Sequence, residues 1–153
     1  VKTLLKKLTK DYPHITFTSS STFYWSPKEQ TVYYDATKKA DPAAWALVHE
    51  LSHGLLEHKT YKTDFELLQL EAEAWHKAKE VGARYGIVIQ EDHIQDCLDT
   101  YRDWLHARSK CPACGEHGLQ QKNGDYVCIN CENSWHVSSE RFCRPYRRLA
   151  RKK

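Results

Sequence analysis

Three residues within WALVHELSHGLLEH, Trp45 to His58, have the types and spacing to hold a metal ion and work on a water beside it. His49 and His53 are four apart, so a helix would put both imidazoles on one face, one turn above the other. Glu50 is rotated by about 100° from His49, which lets its carboxylate reach a water at that metal without taking a ligand position. Leu47, Val48, Leu51 and Leu55 form an adjoining apolar face. The ligands would then be held rigidly at the edge of a core, with water partly excluded. His-Glu-x-x-His in this setting is the pattern of a zinc hydrolase, with Glu50 activating a zinc-bound water as the catalytic base. The competing reading is a helix with two structural histidines.

A catalytic zinc takes a third protein ligand and leaves one position for water. The next helical segment offers Glu66, Glu71, Glu73, His76 and Glu80. Helical phase separates them. An apolar stripe runs through Leu68, Ala74, Trp75, Ala78 and Val81, and Glu71 falls within it. Glu73 shares the charged face with Glu66, Lys77 and Glu80. A carboxylate on an apolar face is costly unless it is paired or bound to metal, so Glu71 is the expected third ligand. The alternatives are a boundary glutamate paired with a lysine, or His76 as the ligand.

Cys111-Pro-Ala-Cys114 and Cys128-Ile-Asn-Cys131 are two C-x-x-C pairs separated by thirteen residues. Each pair can offer two thiolates to one tetrahedral zinc, and the intervening GLQQKNGDYVC reads as strand, Asn123-Gly124 turn, strand. The arrangement resembles a zinc ribbon, in which a closed four-cysteine site folds the module and does no chemistry. Two Zn2+ per chain are therefore expected, one catalytic and one structural. A redox dithiol is the competing reading. Cys97 lies on an apolar helix face as a core residue, and Cys143 sits in the basic C-terminal run.

HELSHGLLEH, followed after a short loop by LEAEAWHKA, resembles the ImmA/IrrE family of metallopeptidases, which pairs a His-Glu-Leu-x-His helix with a second helix bearing Glu-x-x-Ala. Glu71 and Ala74 match that pattern. Trp75 and Lys77 stand where the family usually has Asn and Phe. The resemblance includes the preceding TVYYD strand and covers roughly the first two-thirds of the chain. It implies a small gluzincin-like α+β domain, a His/His/Glu zinc site, and cleavage of regulatory proteins such as repressors. SprT-like proteases, which act on proteins at DNA, also couple His-Glu-x-x-His to a C-terminal zinc ribbon. Their third ligand is a histidine in a His-Gly setting, which this chain lacks at the right distance.

These groups need elements to position them. Leu4, Leu5 and Leu8 predict a helix over 1–12. β-branched and aromatic residues from Ile15 to Asp35, broken by Ser-Pro-Lys-Glu-Gln, predict two or three strands with a hairpin. Asp41-Pro42 marks a helix start, with Asp able to cap and Pro suited to the first turn. Further helices are expected over 64–85, closed near Gly86, and over 91–107, with Ile94, Cys97, Leu98, Tyr101 and Leu105 on one face. GIVIQ between them reads as extended. Trp135 and Val137 could supply a third ribbon strand. The α+β chain thus divides into a metallopeptidase domain at 1–108, a ribbon at 109–137 and a basic tail at 138–153. Thr31 to Tyr34, with Tyr33 and Tyr34 as substrate-binding residues, could be an edge strand that aligns a peptide by main-chain pairing. Tyr33, Tyr34, His58, His76, Tyr85 and His93 are all candidates for a group that stabilises the oxyanion.

Composition bounds the rest. Of 153 residues, 41% are hydrophobic, enough for a core, and 28% are charged. No apolar run approaches the roughly 18–20 residues of a membrane span. The N-terminal stretch alternates Leu with Lys and does not read as a signal peptide. Without one, the six cysteines point to a reduced, cytoplasmic setting. Ser138 to Lys153 holds seven Arg or Lys against Glu140, a net +6, so the remainder carries −3 of the total +3. Arg144, Arg147, Arg148 and Arg151 are thus candidates for binding nucleic acid or an acidic partner, the alternative being a solvated terminus. A non-catalytic adaptor working through ribbon and tail is the competing function. No helix-turn-helix is evident.

Overall fold

The computed structural model describes residues 1–139 and 147–150. The chain forms two compact units, Val1–Thr60 with Leu70–Ile94, and Tyr61–Gln69 with the described part of Gln95–Lys153. The expected α+β class is observed, with four helices, a three-stranded sheet and a four-stranded antiparallel sheet among the described residues.

In the first unit, α1 (Lys2–Asp11) buries Leu4 and Leu8, one turn apart, and leaves its lysines in water. It packs on β1 (Thr16–Ser20). β2 (Tyr24–Ser26) and β3 (Thr31–Asp35) form the expected hairpin, and β1 joins β3 in parallel. The order is β1-β3-β2. β3 is therefore central, and its backbone is taken up on both sides. The edge position expected of Thr31 to Tyr34 falls instead to β1 and β2. Local pattern does not encode strand order, and β3 differs from its neighbours chiefly in burial of Thr31, Val32 and Asp35. Asp35 ends the strand with an Asx turn, its Oδ1 accepting from the Thr37 N–H at 2.9 Å and hydroxyl at 2.6 Å.

α2 (Asp41–Leu55) packs on β2 and β3. Ala40, not Asp41, takes the N-cap, and no side chain caps it. Asp41 lies in the first turn, where a negative charge suits the helix dipole, beside Pro42. Ala43, Trp45, Leu47, Val48 and Leu51 form its buried face. Gly54 makes room for the Trp25 and Ile15 side chains. A Cβ there would lie 3.0 Å from Cζ3 of Trp25 and 3.1 Å from Cδ1 of Ile15.

α3 (Asp64–Arg84) begins at a T-x-x-E signal, with the Thr63 hydroxyl accepting from the Glu66 N–H at 3.1 Å. From Leu70 onward its buried face is Glu71, Ala74, Trp75, Ala78 and Val81, as phase predicts. Gly86 to Gln90 is irregular rather than sheet-paired, and Ile89 is buried. α4 (Glu91–Ser109) buries Ile94 in the first unit.

In the second unit, α4 buries Leu98, Trp104 and Arg108. β4 (Gly118–Gln120), β5 (Tyr126–Cys128), β6 (Ser134–Val137) and β7 (Arg147–Leu149) pair in that order. The basic run expected as a tail therefore contributes a strand, Arg148 lying opposite His136. The core joins Cys111, Cys128, Tyr126 and Trp135, with the two rings stacked at 5.6 Å. Gly118 makes room for it, because a Cβ would lie 2.5 Å from Cη2 of Trp135. A buried ion pair completes the unit. Arg108 Nε donates to Asp64 Oδ2 at 2.6 Å, and the Tyr126 hydroxyl donates to the same oxygen at 2.7 Å. The Arg108 guanidinium also lies over the Trp104 ring, 4.6 Å from its centroid.

Candidate metal centre

α2 and α3 bring three buried side chains together. His49 Nε2 lies 3.1 Å from Glu71 Oε2 and 3.2 Å from His53 Nε2, and His53 Nε2 lies 3.6 Å from Glu71 Oε1. All the donor atoms fall within 4.8 Å of one another. The convergence follows from two helical periods, four residues within α2 and the buried stripe of α3. Glu71 makes these contacts rather than pairing with a lysine, while His76 is exposed beside Glu80.

The donor set fits a cation. Unprotonated imidazole nitrogens and a carboxylate are all acceptors, and three acceptors converging in a buried site need a proton or a metal ion between them. Burial alone would raise the Glu71 carboxyl. Hydrogen bonds with His49 and His53, together with the attraction of both rings, outweigh it and hold the group well below the usual carboxylate range. Glu71 is thus an anion at neutral pH.

The two histidines are oriented differently. His49 stacks on Trp75, with centroids 4.0 Å apart, and its buried Nδ1 has no hydrogen-bond partner among the described residues. His53 Nδ1 lies 2.9 Å from Nδ1 of His58. His58 Nε2 in turn lies 3.4 Å from Glu73 Oε2. Glu50 stands outside the donor set. Burial pushes its carboxyl above the ordinary value, against the pull of His49 and His53.

The six tyrosines and histidines considered for oxyanion stabilisation are scattered. Tyr33 donates to Glu29 at 2.8 Å and stacks on Tyr24, and Tyr34 is half-buried on β3. Tyr85 donates to Asp11 at 2.7 Å. His93 packs between Trp45 and Trp75, and Trp75 covers His49. His58 meets a cluster histidine directly, at the His53 ring. Its place, five residues after His53 at the helix end, carries no motif. The signal is the chain reversal that follows α2.

In the second unit, Cys111, Cys114, Cys128 and Cys131 form another cluster, with sulfur pairs 3.7 Å and 3.5 Å apart. Backbone N–H groups of Ala113, Asn130 and Cys131 point at these sulfurs, and the Asn133 amide donates to Cys131 at 3.2 Å. The Asn133 backbone and side chain pull the Cys131 thiol down to about 6, favouring the thiolate that a metal takes. Arg147 and Arg148 lie in β7, where Arg147 donates to the Lys110 carbonyl and Arg148 is exposed. Arg144, Arg151 and Cys143 lie outside the described residues.

The described residues therefore hold two candidate metal sites of different kinds, a buried His/His/Glu set on helices and a four-cysteine set on a small sheet. No helix among the described residues is long and apolar enough to cross a membrane. No protein-family profile, curated protein or solved structure matches the chain.

Proposed function

We propose that the protein is a zinc-dependent endopeptidase, with His49, His53 and Glu71 holding the ion and Glu50 acting as the base. One observation carries this reading. Three acceptors converge from two helices while the adjacent carboxylate of Glu50 stays out of the set, its pKa raised by burial. Three protein donors with a free carboxylate beside them suit a catalytic rather than a structural zinc site. A zinc ion there would supply a Lewis acid for a peptide carbonyl and acidify a water held beside it.

The rest falls to the chain. Glu50 takes a proton from the attacking water and returns it to the leaving amine, a role suited to a carboxyl with a raised pKa. Trp25 belongs to β2, an edge strand packed on α2, so an extended peptide adding to β2 would lie alongside the helix that carries Glu50. The repressor-like regulatory substrate suggested by the ImmA/IrrE resemblance is the substrate class proposed. A glutamate as third donor favours that relative over the SprT-like one. The cysteine cluster holds a structural zinc in this reading, because four thiolates leave no position for a substrate.

Metal content and cleavage test the proposal together. Zinc is measured by mass spectrometry of the purified protein, and cleavage on a proteome-derived peptide library. His49→Ala and Glu71→Gln should each lose one zinc, and Cys111→Ser the other. Glu50→Gln should keep both and lose cleavage by about 100-fold or more. Zinc content unaffected by His49→Ala overturns the reading, as does a Glu50→Gln protein that cleaves like the wild type.

A further inference from the structure

We infer that His58 is a positioning residue for the metal, fixing through Glu73 and the reversal after α2 which nitrogen His53 presents to the ion. The inference rests on the zinc-site reading above.

The chain of tautomers starts at the surface. Glu73 Oε2 lies 3.4 Å from His58 Nε2, and an acceptor on that side favours the tautomer of neutral His58 with its hydrogen on Nε2. His58 Nδ1 is then a bare lone pair. It lies 2.9 Å from His53 Nδ1, so His53 must donate from Nδ1. That leaves His53 Nε2 unprotonated, and Nε2 is the atom facing Glu71 and His49. A metal-binding histidine whose second nitrogen is held by an acceptor has its tautomer and ring plane set before the ion arrives. In this protein the acceptor is a second histidine rather than a carboxylate.

The backbone is built to put His58 there. Glu57 is left-handed, with φ +56°. The His58 N–H donates to the His53 carbonyl at 3.0 Å and the Glu57 N–H to the Gly54 carbonyl at 3.1 Å. This pair of bonds is a Schellman cap. It folds the chain back so that the residue five after His53 meets the His53 ring. A left-handed glutamate is strained relative to glycine, and this strain sits beside the cluster. From the other side, the Trp25 indole N–H donates to the His58 carbonyl at 3.0 Å. His58 is buried, and its placement is thus held by its own N–H, its own carbonyl and both ring nitrogens.

Chelator competition tests this on the full chain, following the zinc that His49→Ala lacks. His58→Ala should weaken that zinc by about 10–100-fold and leave the cysteine-bound zinc unchanged. His58→Asn places Oδ1 where Nδ1 was and should restore most of the affinity, which a packing role would not. Glu73→Ala, at an exposed site, removes the acceptor, should cost only a few fold and serves if His58→Ala folds poorly. Wild-type affinity in His58→Ala, or in Glu73→Ala where His58→Ala does not fold, overturns the proposal, as does an Asn variant no better than Ala. The two readings fail separately. If His49→Ala releases no ion, the zinc site itself is wrong. If it releases one that His58→Ala still holds tightly, only the role of His58 is wrong.

Discussion

The two clusters gather donors by opposite means. The His/His/Glu set takes rigid positions from helical periods, with donors 22 residues apart meeting across α2 and α3. The cysteine set takes its donors from two turns, and backbone N–H groups point at its sulfurs. Around the first lies a core of apolar side chains distinct from its donors, built on Leu47, Val48, Leu51, Ala74, Ala78 and Val81. Around the second, two of the four residues that make up the buried cluster are themselves cysteines. A site backed by its own core can devote a bound ion to chemistry. A site whose ligands are half of the buried cluster would use an ion to fold.

Losing the metal should therefore have unequal consequences. Structural zinc contributes about 10–16 kcal/mol of apparent binding free energy in small metal-folded modules. Cys111→Ser should melt β4 to β6, seen as loss of dispersed amide signals from residues 111–137, while signals from 41–55 keep their positions. His49→Ala should lose its ion with both sets of signals dispersed. An ordered ribbon in Cys111→Ser would break the contrast.

How much of this is legible in the sequence follows the same divide. Helical phase is local, so the apolar stripe of α3 is enough to choose Glu71 over Glu73, and Glu71 does lie against His49. The ribbon hairpin is equally plain, because C-x-x-C and Asn-Gly are short-range signals. Strand order is not local, which is why TVYYD reads as an edge and proves central. β7 is hidden because Arg-Arg-Leu has no strand pattern, and its pairing comes from β6. The T-x-x-E cap at Thr63 is a short-range signal that the expected start of α3 at 64 did not use. Asp64 and Arg108 could not be seen as partners, since two charges 44 residues apart look like surface until a fold buries both.

That ion pair gives the next test, on the ribbon side. Asp64 and Arg108 are each 5% exposed. Removing one partner of a buried pair leaves the other charged without compensation, at a cost of about 3–5 kcal/mol. Arg108→Ala should lower urea stability by that amount even with zinc saturating. A loss under about 1 kcal/mol would mean the metal alone holds this unit.

Gly54 tests the helix side. Glycine to alanine within a helix ordinarily gains about 1 kcal/mol. In α2 the new Cβ would meet the Trp25 ring at 3.0 Å, and that ring is tethered by its N–H to the His58 carbonyl. Gly54→Ala should instead lose about 1–3 kcal/mol by overpacking, and weaken the zinc that His49→Ala lacks. A more stable protein with unchanged affinity would show that Trp25 yields freely.

The smallest effect has the opposite sign. Glu57 is exposed and left-handed, and its backbone, not its side chain, closes the cap. Glu57→Gly removes the strain but gives the unfolded chain more freedom, which offsets part of the gain. The net should be a stabilisation of about 0.5–1 kcal/mol, a rise in Tm of about 1–4 °C at this chain length. Affinity at the histidine cluster should not change, since the His58 and Glu57 backbone bonds survive. A weaker ion in Glu57→Gly would mean that the strained glutamate itself stiffens the seat of His58, and that the helix site, like the cysteine site, depends on its turn.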